Sequence, residues 1–185
     1  MARGNGKCAA HGVDKRRTWR KLHVGVNEAT GEIWAAVAST NNVSDDEVLA
    51  DIINGIKAEI EQVSGDGAYD KHKCYDAIDQ RAAKATIPPR KDAVMWQEDN
   101  ENADPHPRNE NLRQIHKVGR SRWKQESGYH RRSLSETTMF RFKTIFGGTL
   151  RRRQFDNQAV ELFLKCAALN QMIQLGKPDS YKVEN

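Results

Sequence analysis

The strongest constraint on the fold is a change of hydrophobic period along the first third of the chain. Leu22, Val24 and Val26 alternate with less apolar residues, which is the pattern of a half-buried strand. A second apolar run, residues 33–38, follows a short connection that contains glycine, so the two runs predict a hairpin. The period then becomes that of an amphipathic helix, at Val48, Leu49, Ile52, Ile53 and Ile56. This succession predicts an α/β fold with helices on the faces of a sheet.

Later segments continue the mixture of strands and helices. The first helix is expected to begin at Ser44, because Glu47 three residues later completes a capping box. The pattern predicts short strands and helices in alternation, at residues 62–64 (strand), 72–83 (helix, capped by Asp70), 85–87 (strand), 109–118 (helix), 128–147 (helix) and 155–175 (helix). The last helix is apolar nearly all round, so we expect it to be buried.

The domain organisation is one core with two short ends. Residues 1–16 are polar and basic without periodicity, which predicts a flexible N-terminal arm. The core extends over residues 17–176 and is followed by a tail, 177–185. Within the core, residues 90–111 or so are the most polar part and are expected to form a surface insertion.

Composition excludes several classes of protein. No run approaches the roughly 18 apolar residues of a membrane span, so no membrane partner is expected. The three cysteines, Cys8, Cys74 and Cys166, are odd in number and far apart, which argues against a disulfide scaffold and suits a reducing cytosol. The absence of a signal-peptide pattern agrees with a cytoplasmic protein. The net charge of +5 among 185 residues favours polyanionic partners only weakly.

Four residues with unlike chemistry share one face of the helix predicted after Gly128. Tyr129, Arg132, Glu136 and Lys143 lie within about 60° of one another on an α-helical projection. One interpretation is a solvated face with an Arg132–Glu136 pair worth about 0.3–0.5 kcal/mol, and the spacing alone favours it. The other is a functional site. Because Phe140 falls within the same stripe, we expect the stripe to be half-buried, where a glutamate needs a partner or a metal.

A second candidate is Asp66, which lies between two glycines after the strand at 62–64. Open α/β sheets bind ligands at the carboxyl ends of their strands, so this acid is well placed for a site. Gly65 and Gly67 would leave room around the carboxylate. The alternative is an aspartate that simply begins a turn, and the residue alone favours that alternative.

Together these residues resemble a known family. Asp66 in GDGAYD, followed by Tyr129-x2-Arg132-x3-Glu136-x6-Lys143, matches the YREK signature of the DDE transposases of bacterial insertion sequences. The resemblance extends from about Gly12 over nearly the whole chain. It includes the segments KRRTWRKLHVGVN, TNNVSD, ATIPPRKDA, SGYHRRSLSETTMFRFKTIFG and FDNQAVE…CAALNQM.

The resemblance implies an RNase H-like catalytic domain that hydrolyses phosphodiester bonds at transposon ends and then transfers a strand. In this family three carboxylates hold two divalent ions, Mg²⁺ or Mn²⁺. Asp66 would be the second acid and Glu136 the third. Arg132 and Lys143 would neutralise phosphate, and Tyr129 would contact the DNA backbone. The implied partners are double-stranded DNA at the transposon ends and, at the synapse, a second copy of the chain, which places the protein at the nucleoid.

The first acid of the family is missing from its expected position. It belongs on a strand upstream of the basic WRKLH segment, and no Asp-Ser-Thr-Gly-like segment precedes Trp19. Asp14 is the upstream acid, but it lies among basic residues and is not assigned to the triad. We therefore expect an N-terminally truncated, C-terminal part of a transposase that does not cleave DNA alone and whose partner is the N-terminal part. The alternative is a catalytically inert DNA-binding remnant that regulates the full transposase.

Further basic residues precede and begin the first strand. They surround Trp19, whose ring could stack, and they are Lys15, Arg16, Arg17, Arg20 and Lys21. We assign them to phosphate contact, while a solvated strand start explains them equally well. The basic run at residues 151–153 has the same two interpretations.

Overall fold

The computed structural model describes residues 19–96 and 106–176. The predicted arm (1–16), the predicted tail (177–185) and the centre of the predicted insertion lie outside these residues. The elements, in chain order, are β1 (Arg20–Val26), β2 (Ile33–Thr40), α1 (Leu49–Gly55), β3 (Gln62–Ser64), α2 (His72–Asp79), β4 (Lys84–Thr86), α3 (Pro107–Val118), α4 (Arg120–Glu126), α5 (Ser133–Phe146) and α6 (Phe155–Gln174).

The predicted hairpin is confirmed. Strands β1 and β2 pair antiparallel from Arg20 opposite Thr40 to Val26 opposite Ile33. The connection is closed by Asn27, whose side-chain oxygen accepts hydrogen bonds from the backbone N–H groups of Ala29 and Thr30 at 2.7 and 3.2 Å. This local Asx turn explains why the strand pattern reverses direction within six residues.

The two short strands β3 and β4 pair in parallel, with Val63 opposite Ala85. Within the described residues they form a sheet of their own, separate from the hairpin. The expected single mixed sheet is therefore two two-stranded sheets here, because β1 and β3 share no hydrogen-bond ladder. Helix α1 lies against both β1 and β2 and also packs on α2.

The apolar side chains divide into two main clusters. One joins α1 and α2 to β4 and contains Leu49, Ile53, Tyr69, Cys74, Tyr75, Ala77, Ile78, Ala85 and Ile87. The other lies between the hairpin and the last two helices and contains Val24, Ile33, Met139, Phe142, Leu162, Cys166 and Leu169. Burial raises the pKa of both Cys74 and Cys166 to about 11, so these thiols are core residues rather than nucleophiles, as expected.

The start of the first helix agrees with its capping chemistry. The backbone N–H and the hydroxyl of Ser44 both donate to the Glu47 carboxylate, at 2.6 and 2.8 Å. These hydrogen bonds lower the pKa of Glu47. The turn that they stabilise is a short 3-10 helix, Asp45–Glu47, and α1 itself begins at Leu49.

Two expectations for the middle of the chain are wrong. Asp70 does not cap α2, which begins at His72 after Lys71; its carboxylate instead accepts a hydrogen bond from the Arg108 guanidinium at 2.6 Å. The predicted insertion also ends early, because α3 begins at Pro107 and buries Arg108 and Asn109. The Asn109 side chain bonds to both the N–H and the carbonyl of Trp96, so this polar segment is tied into the core by hydrogen bonds.

Helix α6 is not buried all round. One face covers the hairpin through Leu162, Cys166 and Leu169, while Leu164 on another face is 66% exposed. Asn170 fixes the helix to β2, since its side chain bonds to both the N–H and the carbonyl of Ile33 at 2.8 Å. Apolar composition predicted burial on all sides, but among the described elements only β2 and α5 cover this helix substantially. Across the described ranges, no helix is both long and apolar enough to cross a membrane.

Candidate functional site

The signature helix begins after a left-handed glycine. Gly128 has a φ of +71°, a conformation that side chains other than glycine rarely adopt, and it turns the chain out of α4. Residues Tyr129–Arg132 then form a 3-10 helix before α5 begins at Ser133. Because side chains three apart eclipse each other in a 3-10 helix, Tyr129 and Arg132 align more closely than the α-helical projection predicted. The Arg132 guanidinium carbon lies 5.6 Å from the centre of the Tyr129 ring.

Arg132 links the tyrosine to the predicted third acid. Its guanidinium donates to the Glu136 carboxylate at 2.8 Å, one turn further along. The predicted contact between Arg132 and Glu136 is thus present, and three signature residues form one cluster. Tyr129 itself is buried beside Trp123, with the Lys124 ammonium 5.1 Å from the ring centre. The fourth signature residue, Lys143, is half-buried in the last turn of α5.

Part of the stripe is more exposed than expected. The Glu136 side chain is 47% exposed and Phe140 is 69% exposed, whereas Met139 beside it is buried. The expectation of a half-buried stripe fails at these two residues, because the apolar face of α5 is formed by Met139 and Phe142 and points to the hairpin. The other signature residues agree with it, since Tyr129 is buried and both Arg132 and Lys143 are half-buried. An exposed carboxylate paired with Arg132 is stable without further ligands.

Asp66 lies directly after β3 and Gly65. One of its carboxylate oxygens accepts a hydrogen bond from the Ala68 N–H at 2.9 Å, which caps the short 3-10 helix Gly67–Tyr69. Gly65 is needed for packing rather than for ligand access, since a Cβ there would come within 2.8 Å of the Tyr69 ring. The structure therefore gives this acid the turn-forming role that the sequence offered as an alternative, and its metal role stays a prediction.

The carboxylates do not make a complete metal centre. Oxygen ligands of this kind suit Mg²⁺, so Asp66 and Glu136 have the right chemistry. In residues 19–96 and 106–176, however, no three His, Cys, Asp or Glu side chains are grouped so that they could hold an ion. The described residues therefore do not fit a two-metal site by themselves.

The predicted DNA-binding cations differ in their surroundings. Arg20 donates to the Gln158 side chain at 2.8 Å and lies over the Phe155 ring, and the Lys21 ammonium donates to the Val43 carbonyl at 2.6 Å. Both are half-buried, so phosphate would compete with contacts inside the protein. The other three, Lys15, Arg16 and Arg17, lie outside the described residues.

A buried polar network in the hairpin was not predicted from the sequence. Nε2 of His23 lies 2.7 Å from the Ser39 hydroxyl, and Nδ1 lies 3.1 Å from the Asp45 carboxylate. The order of contacts is that of a hydrolase triad, but His23 and Ser39 are both buried and neither lines the cavity of about 700 Å³ between the hairpin and β3. The network therefore joins β1, β2 and the turn before α1. Alternation of polar and apolar residues could place His23 on a face, but could not identify its partners.

This network makes stability depend on pH. Burial lowers the pKa of His23 below its ordinary value of 6.5, although Asp45 opposes the shift. The unfolded chain then binds more protons than the folded one, so stability is lost as the pH falls through about 6.5 towards the lowered pKa. We expect the free energy of unfolding to fall between pH 7.5 and 5.5, by at most about 1.4 kcal/mol per pH unit.

Urea unfolding of the wild-type chain and of His23→Gln at both pH values measures this contribution. The variant is expected to show the shallower pH dependence, and replacement of the exposed His116 by glutamine is the matched control. Equal pH dependence in wild type and His23→Gln would contradict the assignment.

Comparison with known proteins decides the family. The family model described as Transposase DDE domain matches residues 2–171 of the 185. The chain belongs to this family. Membership gives the transposase a general role in DNA transposition, with DNA as its implied partner, and the mixed α/β arrangement described above is consistent with such a domain. No solved structure matches the transposase significantly.

Proposed function

We propose that this transposase is the RNase H-like catalytic core of an insertion-sequence enzyme of the YREK group, acting on double-stranded DNA at transposon ends. The observation that carries the proposal is the cluster of Tyr129, Arg132 and Glu136, in which a guanidinium connects an aromatic ring to an exposed acid. The family membership supports it. A DNA substrate would keep the protein with the nucleoid in the cytoplasm, and a second copy is its expected partner at the synapse.

Two cations have a direct role in this proposal, Arg132 just before α5 and Lys143 in its last turn. A guanidinium offers five N–H donors, so Arg132 can hold Glu136 and a phosphate at the same time. Lys143 lies two turns beyond Glu136 and would add a second positive charge on the same helix. Because Tyr129 is buried against Trp123, its contribution would be to orient Arg132 through the ring rather than to enter a groove. The cluster would therefore hold the DNA backbone beside an acid.

Phosphate contact predicts a specific change in salt dependence. Replacing Arg132 with glutamine should weaken binding to duplex DNA at low salt. It should also reduce the slope of log affinity against log salt by about 0.9, because one phosphate contact is lost. Fluorescence anisotropy with a labelled transposon-end duplex at several salt concentrations measures both quantities.

The matched control is Arg122→Gln, which removes the same charge from α4, where Arg122 pairs with Glu126. The control should leave the salt slope nearly unchanged. If both variants lowered the slope equally, net charge rather than the Arg132 cluster would determine binding.

Cleavage is a separate question from binding. We propose that Asp66 and Glu136 are two acids of the catalytic set, which would hold Mg²⁺ or Mn²⁺ once a third carboxylate joins them. Since the described residues present no group of three ligands, we propose that this chain alone binds DNA without cutting it. The same observation favours the second candidate function, an inert DNA-binding protein that regulates a complete transposase.

Labelled transposon-end DNA incubated with the chain and Mg²⁺ or Mn²⁺ tests this statement. We expect binding without nicking. Specific nicking that disappears in Glu136→Gln would show that the chain is catalytically complete. If adding the N-terminal part of a transposase restored cleavage, the chain would be a catalytic domain and not an inert regulator.

A further inference from the structure

Three consecutive arginines, residues 151–153, follow α5 and precede α6. We call them the arginine loop. All three side chains are exposed, and among the described residues none of their guanidinium groups forms an ion pair. Like charges at successive positions repel one another, so an anion from outside the fold would stabilise the loop. Whether the loop is a binding surface or only a solvated cluster depends on how its backbone is held.

Side chains of α6 hold the backbone of the arginine loop. The Glu161 carboxylate accepts hydrogen bonds from the backbone N–H groups of Arg151 and Arg152, at 2.9 and 3.2 Å. The Gln158 side chain donates to the Arg152 carbonyl at 2.9 Å. The backbone is therefore fixed while the three guanidinium groups remain in solvent. A ligand that binds them has little main-chain entropy left to remove, which favours binding.

Glu161 holds the loop without neutralising it. Its side chain is 16% exposed, and its carboxylate lies 2.9 Å from the Lys165 ammonium, which also donates to the Thr149 carbonyl at 3.1 Å. Burial opposes ionisation of Glu161, but the hydrogen bonds from Lys165 and from the two backbone N–H groups lower its pKa. The negative charge of Glu161 is thus directed to backbone N–H groups and to an ammonium, so the charges of the three arginines stay available to a partner.

A second basic segment meets the arginine loop. The Arg20 guanidinium donates to the side-chain oxygen of Gln158 at 2.8 Å, while the nitrogen of the same amide donates to the Arg152 carbonyl. Arg20 belongs to the basic run at residues 15–21, for which phosphate contact is predicted from the sequence. The fold therefore brings together two basic segments that are far apart along the chain, which is the arrangement expected of a surface for a polyanion.

The arginine loop is well separated from the signature cluster. Arg132 lies at the start of α5, and the loop follows the end of this helix. The helix has 14 residues, so at a rise of 1.5 Å per residue it spans about 21 Å. Base pairs of duplex DNA are stacked at intervals of about 3.4 Å, so the span corresponds to roughly six base pairs. One duplex can therefore reach both groups through different phosphates.

We infer that the arginine loop is a second contact for the phosphate backbone of duplex DNA, and that Glu161 is the residue that positions it. The inference rests on the proposed action on DNA and adds a surface to it. The guanidinium groups bind phosphates roughly six base pairs from the phosphate at Arg132. Because these contacts go to phosphates, the loop contributes affinity and fixes how the duplex lies on the protein, without reading its sequence.

Replacing all three arginines of the loop with glutamine tests the phosphate contacts. Fluorescence anisotropy with a labelled duplex of about 30 base pairs should show that the slope of log affinity against log salt falls by about 2 to 3. The matched control removes three exposed cations from α3 and α4 by the substitutions Arg113→Gln, Lys117→Gln and Arg122→Gln. It should leave the slope nearly unchanged. Equal reductions in the two triple variants would overturn the inference.

Glu161→Ala gives a sharper test, because simple electrostatics predicts the opposite result. Removing an acid makes the protein more positive, which by itself strengthens binding to DNA. Loss of the acceptor for the loop N–H groups should instead weaken binding by at least about threefold, since the guanidinium groups are no longer held in place. Glu161→Gln keeps an oxygen that can accept these hydrogen bonds, so it should recover most of the affinity. Circular dichroism checks that both variants keep the helical content of the wild type.

Asp156→Ala is the matched control for the positioning role. Asp156 is exposed in the first turn of α6, and none of the described residues donates a hydrogen bond to its side chain. Its replacement removes the same charge from the same helix and should leave the affinity unchanged or higher. If Glu161→Ala bound DNA as tightly as Asp156→Ala does, the positioning role would be wrong.

Comparison with Arg132→Gln separates this inference from the proposed function. Because the two sites are about 21 Å apart, their effects on the free energy of binding should add when the loop variant and Arg132→Gln are combined. A normal salt slope in the loop variant alone would overturn the inference and leave the contact at Arg132 standing. A normal slope in Arg132→Gln alone would contradict that contact and leave the arginine loop as the DNA-binding surface.

Discussion

Replacing Asp70 with asparagine is expected to lower the free energy of unfolding by about 3–5 kcal/mol. The Asp70 and Arg108 side chains are 3% and 5% exposed, and their N–O distance is 2.6 Å. Arg108 also donates to the Val94 carbonyl and stacks on the Trp96 ring, so it cannot turn to solvent when its partner is neutralised. The variant would leave a buried guanidinium without a counter-charge, and urea unfolding at pH 7.5 measures the loss.

An exposed ion pair of the same length is the control for this prediction. Arg122 and Glu126 in α4 are also 2.6 Å apart, but both side chains are at least half exposed. Glu126→Gln should therefore cost no more than about 0.5 kcal/mol. If Asp70→Asn lowered the free energy of unfolding no more than Glu126→Gln does, the buried ion pair at Asp70 would contribute little to stability.

Truncating Leu169 to alanine is expected to destabilise the chain by about 2–5 kcal/mol, because it removes buried methyl groups and leaves a cavity between α6 and the hairpin. Leu169 is 1% exposed within the cluster that contains Val24 and Phe142. The same substitution at Leu164, in the same helix but exposed, should change stability by less than about 0.5 kcal/mol. Thermal unfolding of both variants compares them directly.

The difference between these two leucines tests the one-sided packing of α6. If both variants lost much stability and to the same extent, the outer face of the helix would also be covered in solution. If both variants lost little, the helix would not be docked on β2.

Local features of the fold were predictable. The hairpin follows from the alternation at Leu22–Val26 and the short connection that contains glycine, and the start of the first helix follows from Ser44 and Glu47. In each case the interacting groups are only a few residues apart in the sequence. The residue pattern that predicts the element therefore also identifies which groups make contact. The family also followed from local signatures, since the spacing from Tyr129 to Lys143 is fixed along the chain.

Distant contacts could not be predicted in the same way. Asp70 and Arg108 are 38 residues apart in the sequence. The polar composition near Arg108 is the same for a surface loop as for a segment held to the core by a buried ion pair. His23 and Ser39 pair across a hairpin whose register becomes known only once it is formed. For the site, spacing placed Arg132 beside Glu136 but could not decide whether α5 turns its stripe to solvent. That depends on how Met139 and Phe142 pack on the hairpin.

The contact between Asn170 and Ile33 has a consequence for the growing chain on the ribosome. Its two hydrogen bonds join residues 137 positions apart, and the helix that supplies Asn170 also covers the apolar face of the hairpin. The hairpin can form as soon as it leaves the exit tunnel, because its own contacts are local. Its apolar face must then wait until Asn170, 137 positions after Ile33, has been translated before α6 can cover it, so the nascent protein presents this surface to chaperones during that interval.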